Sequence, residues 1–389
     1  MDFTLAEEQQ MLADLVSRFV EKEYAFEARR KLAATARGWS EQHWATLADM
    51  GLLGLNVPEE YGGMNASIAE TMIVMEGLGR GLVLEPYLST AVLGARLLSR
   101  AGTDAQKDRW LPELAAGRLK TALATLEPGA RFDLSNIATT ARPLGAGFVI
   151  DGRKGVVIHG DSADLLLVSA RTSGEQTNTT GITLFAIDPQ APGVTLRGFP
   201  ALDGLRVAEV SFSGVSVGAE AVLGVMDEGY PLLEWTVDHG MFALCAEAVG
   251  TMTRLAELTY DYLRVRTQFG KPIGSFQALQ HRAADILAAV EQARSVVYFA
   301  ASRLDGEDAG KDVGKNIGED GCERSRALSA AKNVIGRSGR FVGQQAVQLH
   351  GGMGMTDELP VGWYFKRLVC IDMTWGDAQH HLERYGAGL

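Results

Sequence analysis

The sequence predicts an α+β multidomain chain: an N-terminal helical domain over 1–119, a middle β-sandwich or barrel domain over 120–225, and a C-terminal four-helix bundle over 226–389. Three observations predict it. Apolar residues in the first third recur at three and four residues, the period of a helix face. The middle third breaks into short β-rich runs separated by Gly, Asp and Pro. The last third carries three long helical stretches in series, the pattern of a bundle. A chain of 389 residues also exceeds what one hydrophobic core usually serves.

Thr4 and Glu7 have capping-box spacing at the start of the first helix. Leu12, Leu15, Val16, Phe19 and Val20 then mark one helix face. Helical texture continues through "SEQHWATLADMGLLGL" and "AETMIVMEGLGRGLVLEPYLSTAVLGARLLSRAG". Gly77, Gly79 and Gly81 follow a helical pattern rather than a strand, which excludes a dinucleotide-binding loop there. Near Lys120 the texture changes. "TALATLE", "GFVIDGRKGVVIHG", "DLLLVSAR", "ITLFAID", "GVTLRGF" and "AEVSFSGVSV" read as strands. From about Tyr230 three stretches of some two dozen residues read as helices, and "DGEDAGKDVGKNIGEDG" (Asp305–Gly321) reads as a solvated loop between two of them.

Composition narrows the function. With 37 basic and 48 acidic residues the net charge is −11, which argues against nucleic acid or an anionic membrane as partner. No apolar run reaches the length of a membrane span. Cys245, Cys322 and Cys370 are scattered, as expected of reduced thiols in a cytoplasmic protein. The polar, acidic start "MDFTLAEEQQ" is unlike a signal peptide.

Three motifs stand out. "RTQFGKPIGSFQALQH" (Arg266–His281) sets a planar, permanent cation at a helix end, suited to a pyrophosphate, with Gly270 as a plausible cap. "QLHGGMGMTDELPV" (Gln348–Val361) supplies glycines that permit close backbone approach. "LEPGARFDL" (Leu126–Leu134) precedes "DGRKGVVIHG". In this order, over essentially the whole chain, they resemble the acyl-CoA dehydrogenase flavoprotein family.

The resemblance implies FAD as cofactor, an acyl-CoA substrate and an electron-transfer flavoprotein as acceptor. It implies that Arg266, Gln268, Phe269, Gln348, Gly351 and Gly352 hold the pyrophosphate and adenosine of FAD, reaching across an interface to the neighbouring subunit's cofactor. The segments that would hold the chain's own flavin ring depart from the family pattern. Where the family has Glu-Pro-Gly-Ala-Gly-Ser, this chain has Glu127, Pro128, Gly129, Ala130, Arg131 and Phe132. Where it has Trp-Ile-Thr, this chain has Val156, Val157 and Ile158. A stacking indole and hydroxyl donors are lost.

The catalytic base is missing at both places that the family uses. One position falls on Trp375, in "DMTWGDAQHH", and the other on Gly240. Neither can take up an α-proton. On this reading Trp375 fills the pocket where a thioester would lie. Asp377 is a weak substitute base. Asp238 and Glu247 lie near the second position, but Glu247 is seven residues, about 10 Å of helix, beyond Gly240. His380 and His381 point to different helix faces, so no metal pair is expected, and Ser162 is not in a nucleophile elbow.

The overall texture resembles the small, base-lacking subunits of heteromeric members, those labelled pimeloyl-CoA dehydrogenase and those of steroid side-chain degradation. The resemblance implies an α2β2 heterotetramer with a homologous base-bearing subunit, sharing FAD, and a bulky or dicarboxylic acyl group. Two alternatives stay open: a self-sufficient homo-oligomeric dehydrogenase with a displaced base, and a non-enzymatic scaffold of the same fold.

Overall fold

The helical periods resolve into packed helices wherever an apolar stripe finds a partner. The computed structural model describes residues 5–308 and 319–387, with side chains described for 5–304 and 323–387. Helix α1 (Glu7–Glu23) buries Val16 and Phe19, with Leu12 and Val20 half-buried; Leu15 faces outward. Thr4 lies outside the described residues. The helix start is secured by Gln9, whose Oε1 accepts a hydrogen bond from the Ala6 N–H at 3.1 Å.

After α2 (Phe26–Ala33) and α3 (Glu41–Asp49), α4 (Ile68–Gly81) carries all three suspected loop glycines inside a helix. Packing leaves none of them room: a Cβ on Gly77 would lie 2.5 Å from Val16 Cγ1 and one on Gly81 2.6 Å from Val20 Cγ1, and Gly79 is the tightest. A Cβ on Gly79 would overlap the Glu247 carbonyl oxygen, and one on Gly250 would overlap that of Glu76. The two glycines let α4 and the long bundle helix approach backbone to backbone. A π-helical segment, Leu88–Gly94, leads into α5 (Ala95–Ala101) and α6 (Asp104–Ala115). Thr121 stitches it to the sheet, its Oγ1 donating to the Ser89 carbonyl at 3.0 Å.

The strands are β1 (Thr121–Ala124), β2 (Thr140–Leu144), β3 (Gly147–Ile158), β4 (Leu165–Arg171), β5 (Ile182–Ile187), β6 (Val194–Pro200), β7 (Arg206–Gly218) and β8 (Val222–Leu223). They form one hydrogen-bonded sheet in the order β6-β7-β3-β2-β4-β5-β8, with β1 parallel to β4. A separate apolar cluster, including Ile150, Val157, Val168, Phe185 and Val210, packs within this β domain. Register shifts between β3 and β7 after Ile150 and Lys154 bend the longest strands.

The C-terminal part contains α7 (Gly229–Val265), α8 (Gln277–Asp308), α9 (Glu319–His350), α10 (Val361–Met373) and α11 (Ala378–Ala387), with a two-residue hairpin β9 (Thr267–Gln268) and β10 (Lys271–Pro272) after α7. Helix α7 is buried almost all round from Trp235 to Met252, so its sequence is apolar without a clean stripe. The expected loop over Asp305–Gly321 is shorter than read. Both ends are helical, belonging to α8 and α9, and 309–318 lie outside the described residues. Cys322 lies outside the described side chains; Cys245 and Cys370 are free thiols.

Candidate active site at the sheet–bundle junction

Strand alternation aims Val156 and Ile158 away from the sheet's own cluster, where Val157 is fully buried. They turn toward a cavity of about 480 Å³ between sheet and bundle. The loop after β1 (Leu126 to Phe132) and the turn after α10 (Thr374, Trp375) line the same cavity. The three segments that the sequence singled out for the flavin ring and the base therefore converge on one site. Sequence reasoning missed its roof: Ser89 and Leu93 come from the π-helical segment. Such a wide turn carries no local sequence signature.

Trp375 sits at φ +54° and Gly376 at φ +122°. A Cβ on Gly376 would lie 2.5 Å from His380 and 2.6 Å from His381, so the glycine is required both for φ and for space. The indole is 7% exposed. Its edge points at Gly240: a Cβ there would meet Trp375 Cζ3 at 2.9 Å, Cη2 at 3.0 Å and Leu93 Cδ2 at 2.7 Å. The two positions inferred for the base, 135 residues apart in the chain, thus touch each other, and the missing side chain of one accommodates the excess of the other. One expectation is corrected. Trp375 forms a wall of the cavity rather than filling it, because its ring is drawn into the notch over Gly240.

The turn is held from behind. Buried Lys332 on α9 donates from Nζ to the carbonyls of Ile371 (2.6 Å), Asp372 (3.2 Å) and Thr374 (2.9 Å), satisfying the end of α10. Burial depresses its pKa to about 8, with neighbouring anionic groups opposing. His381, fully buried, has an Nε2 contact of 3.1 Å to the Trp375 carbonyl. Desolvation first, then Lys332 and Arg384, push its pKa down to about 2, so it is neutral at pH 7.

The substitute carboxylates are committed elsewhere. Asp377 Oδ1 accepts the His380 N–H at 2.8 Å, capping α11. Asp238 is buried against Arg324 at 2.8 Å and Arg384 at 3.3 Å. Glu247 makes two 2.6 Å bonds to Arg367, which also holds Asp203 at 2.8 Å. Two carboxylates line the cavity, and both are tied. Glu127 takes Lys154 at 2.6 Å and the N–H groups of Ala138 and Thr139 at 2.7 and 3.1 Å. Burial tends to raise the pKa of Glu127 and of Asp203; Lys154 and Arg367 respectively outweigh it, so both are held below the usual carboxylate range. Groups this satisfied are poor bases. Among the described residues no cluster of His, Cys, Asp and Glu could hold a metal, and the His380 and His381 rings lie nearly perpendicular.

The two motifs expected to meet the nucleotide lie elsewhere, at one end of the bundle. Arg266 closes α7, exposed and with no ion pair among the described residues. Gln268 and Phe269 form the hairpin that follows; Phe269 is 91% exposed at φ +52°. Gln348, Gly351 and Gly352 are exposed at the end of α9, and Gly351 adopts φ +60°. Tyr262 stacks on His350, centroids 4.3 Å apart at 28°, which ties the two motifs together. Open backbone, a free guanidinium and an exposed ring fit the pyrophosphate and adenosine end of FAD. The cavity at the sheet–bundle junction does not fit the flavin ring in the family's manner: aliphatic Val156 and Ile158 stand where an indole and a hydroxyl would be.

A helical region, a β sheet and a second helical region follow one another along the chain; α4 packs directly on α7, and the sheet and the bundle enclose a cavity at their junction. The chain belongs to the acyl-CoA dehydrogenase family: the N-terminal, middle and C-terminal domains of acyl-CoA dehydrogenase match residues 6–118, 122–215 and 227–389. FAD is the cofactor this membership carries. The chain is 32% identical over 324 residues to mitochondrial 2-methylacyl-CoA dehydrogenase of Solanum tuberosum, covering 82% of this chain and 75% of that protein. Among solved structures it is similar to a chain of the ChsE4-ChsE5 complex from Mycobacterium tuberculosis (27% identity, TM-score 0.88, 100% and 98% covered). It is similar too to a chain of the Tcur3481-Tcur3483 steroid acyl-CoA dehydrogenase (29%, TM-score 0.85, 99% and 98% covered). No helix among the described residues is long and apolar enough to cross a membrane.

Proposed function

We propose that this chain is the base-lacking subunit of a heteromeric acyl-CoA dehydrogenase, paired with a homologous subunit that carries the base. The observation that carries the reading is that Trp375 and Gly240, at the two positions inferred for the base, carry no carboxylate and pack against each other. Arg266, Gln268, Phe269, Gln348, Gly351 and Gly352 then complete the pyrophosphate and adenosine end of an FAD whose ring lies in the partner. Bound there, FAD would supply the hydride acceptor for dehydrogenation of the acyl chain. The Arg266 fork would orient its pyrophosphate, and Gly351 and Gly352 would let it approach the protein backbone closely. The similarity to chains of two-component complexes supports the reading. The substrate class on this reading is an acyl-CoA with a bulky or dicarboxylic acyl group, and the acceptor an electron-transfer flavoprotein.

The test is flavin stoichiometry. Expressed alone, the chain carries little FAD and no dehydrogenase activity. Co-purified with its partner, it gives one FAD per heterodimer, and Arg266→Ala lowers retention of FAD by the complex. Two FAD per heterodimer, or a yellow, active homo-oligomer, overturns the reading. Retention unchanged in Arg266→Ala refutes the assignment of the motif.

A further inference from the structure

The junction cavity offers no free carboxylate to act as a base, yet about 480 Å³ stays open beside the indole. Pockets that bury small ligands fall in this range of volume. Its walls are mostly apolar, with Leu93, Leu123, Leu126, Ile158, Leu205 and Val207 among the residues that line it. Val156 and Met373 line it too and are 54% and 49% exposed, so the cavity meets solvent between β3 and the end of α10.

Four charged residues line it, and they are unequal. Glu127 is paired with Lys154 at 2.6 Å, and Asp203 with Arg367 at 2.8 Å. Arg131 is different. It is exposed, and its side chain has no ion pair or hydrogen bond among the described residues. Its backbone sits at φ +51°, a left-handed conformation that is costly for a residue with a side chain. Two turn bonds hold it there: the Ala130 N–H donates to the Glu127 carbonyl and the Asp133 N–H to the Ala130 carbonyl, both at 3.1 Å. Outliers of this kind cluster at ligand clamps. The loop thus fixes one uncommitted cation at the edge of an apolar chamber.

We propose that the junction cavity binds a free carboxylate with an apolar body, the body against the walls and the carboxylate at Arg131. Burial of the body supplies most of the affinity. One uncommitted charge calls for one anionic end, and the planar fork of a guanidinium suits a carboxylate. A free acid needs no base, so the packing of Trp375 against Gly240 does not disable such a site. The proposal goes beyond the functional reading above and rests on one part of it, the misfit between this cavity and a flavin ring.

The experiment is calorimetric titration of the purified full-length chain with hexanoate, octanoate, 1-octanol and inorganic phosphate, with bound FAD read from the absorbance of the same sample. Affinity rises about fourfold per added methylene from hexanoate to octanoate, the effect of burying each one, and phosphate does not bind. Arg131→Gln weakens octanoate about threefold to fivefold, the scale of an exposed ion pair, and leaves 1-octanol unchanged. Arg131→Lys keeps the charge and recovers most of the octanoate affinity. Arg197→Gln, at an exposed arginine of β6 outside the cavity, changes neither ligand. Val156→Trp, which sets an indole at the mouth, weakens octanoate at least about fivefold. A flat series from hexanoate to octanoate, phosphate binding as tight as octanoate, Arg131→Gln without effect or with equal loss for 1-octanol, or binding untouched by Val156→Trp overturns the proposal. FAD bound by the chain alone overturns it together with the functional reading. A flavin-free chain that does not bind octanoate at millimolar concentration overturns this proposal only.

Discussion

Placing a methyl group at position 240 tests the contact on which the functional reading rests. Gly240→Ala puts a Cβ 2.7 Å from Leu93 Cδ2 and 2.9 and 3.0 Å from two ring atoms of Trp375. Those separations are well inside van der Waals contact, and overpacking of this kind costs about 1–3 kcal/mol. In an unobstructed helix the same change would stabilise by about 1 kcal/mol. The net effect of Gly240→Ala alone is therefore neutral to about 2 kcal/mol destabilising, the difference of those two figures. Trp375→Ala alone opens a cavity and costs about 3–5 kcal/mol. With the indole gone only Leu93 Cδ2 still crowds the new methyl, and this side-chain end can shift into the vacated space, so Gly240→Ala becomes favourable by up to about 1 kcal/mol. A double-mutant cycle by equilibrium urea unfolding should return a coupling of about 1–3 kcal/mol between positions 240 and 375. Coupling below about 0.5 kcal/mol, the scatter of independent sites, would refute the packing argument.

Restoring a carboxylate with Trp375→Glu should give no dehydrogenase activity in the chain alone, since Val156 and Ile158 still lack the groups that seat a flavin ring; turnover with acyl-CoA and an artificial acceptor is the assay. Arg367→Met leaves Glu247 and Asp203 buried without their cation and should cost about 3–5 kcal/mol, read from the same urea transition; a loss under about 1 kcal/mol would show that the triad is solvated. His381 has a folded pKa near 2, below the unfolded 6.5, so the unfolded chain binds the extra proton and stability falls as pH drops below 6.5. That contribution is about 1.4 kcal/mol per pH unit. His381→Gln should therefore flatten the difference between urea midpoints at pH 6.5 and pH 5, and an unaltered pH dependence would mean that His381 protonates in the folded state.

Much of the site was readable because its parts are local. Arg266 at a helix end, the glycines after Gln348 and the aliphatic run at Val156–Ile158 are fixed by short windows, and each lies in the structural setting its residue types imply. Glycines were the least decidable. Gly79 could be read as helix filler, and only the crossing with α7 shows why a side chain is excluded there. Lys332 shows the same limit. On α9 it follows Leu328 and Ala331 as one charged residue among apolar ones, and its role as a cap depends on carbonyls that arrive from α10, some 40 residues later. The roof of the junction cavity was invisible, because a π-helical turn is chosen by what it packs against.

By itself the sequence determined the order of helix, strand and helix, the family, and that residues 375 and 240, a Trp and a Gly, carry no carboxylate. These follow from residue type and spacing, which act over a few turns of chain. The tertiary structure decided that Trp375 and Gly240 are one feature rather than two. It decided that Asp377, Asp238 and Glu247 are a cap and ion-pair partners, and that an apolar cavity survives beside the indole. The physical reason is common to all of these. Volume and charge compensation are settled between residues that meet only when distant segments pack, and neither can be read from a window of sequence.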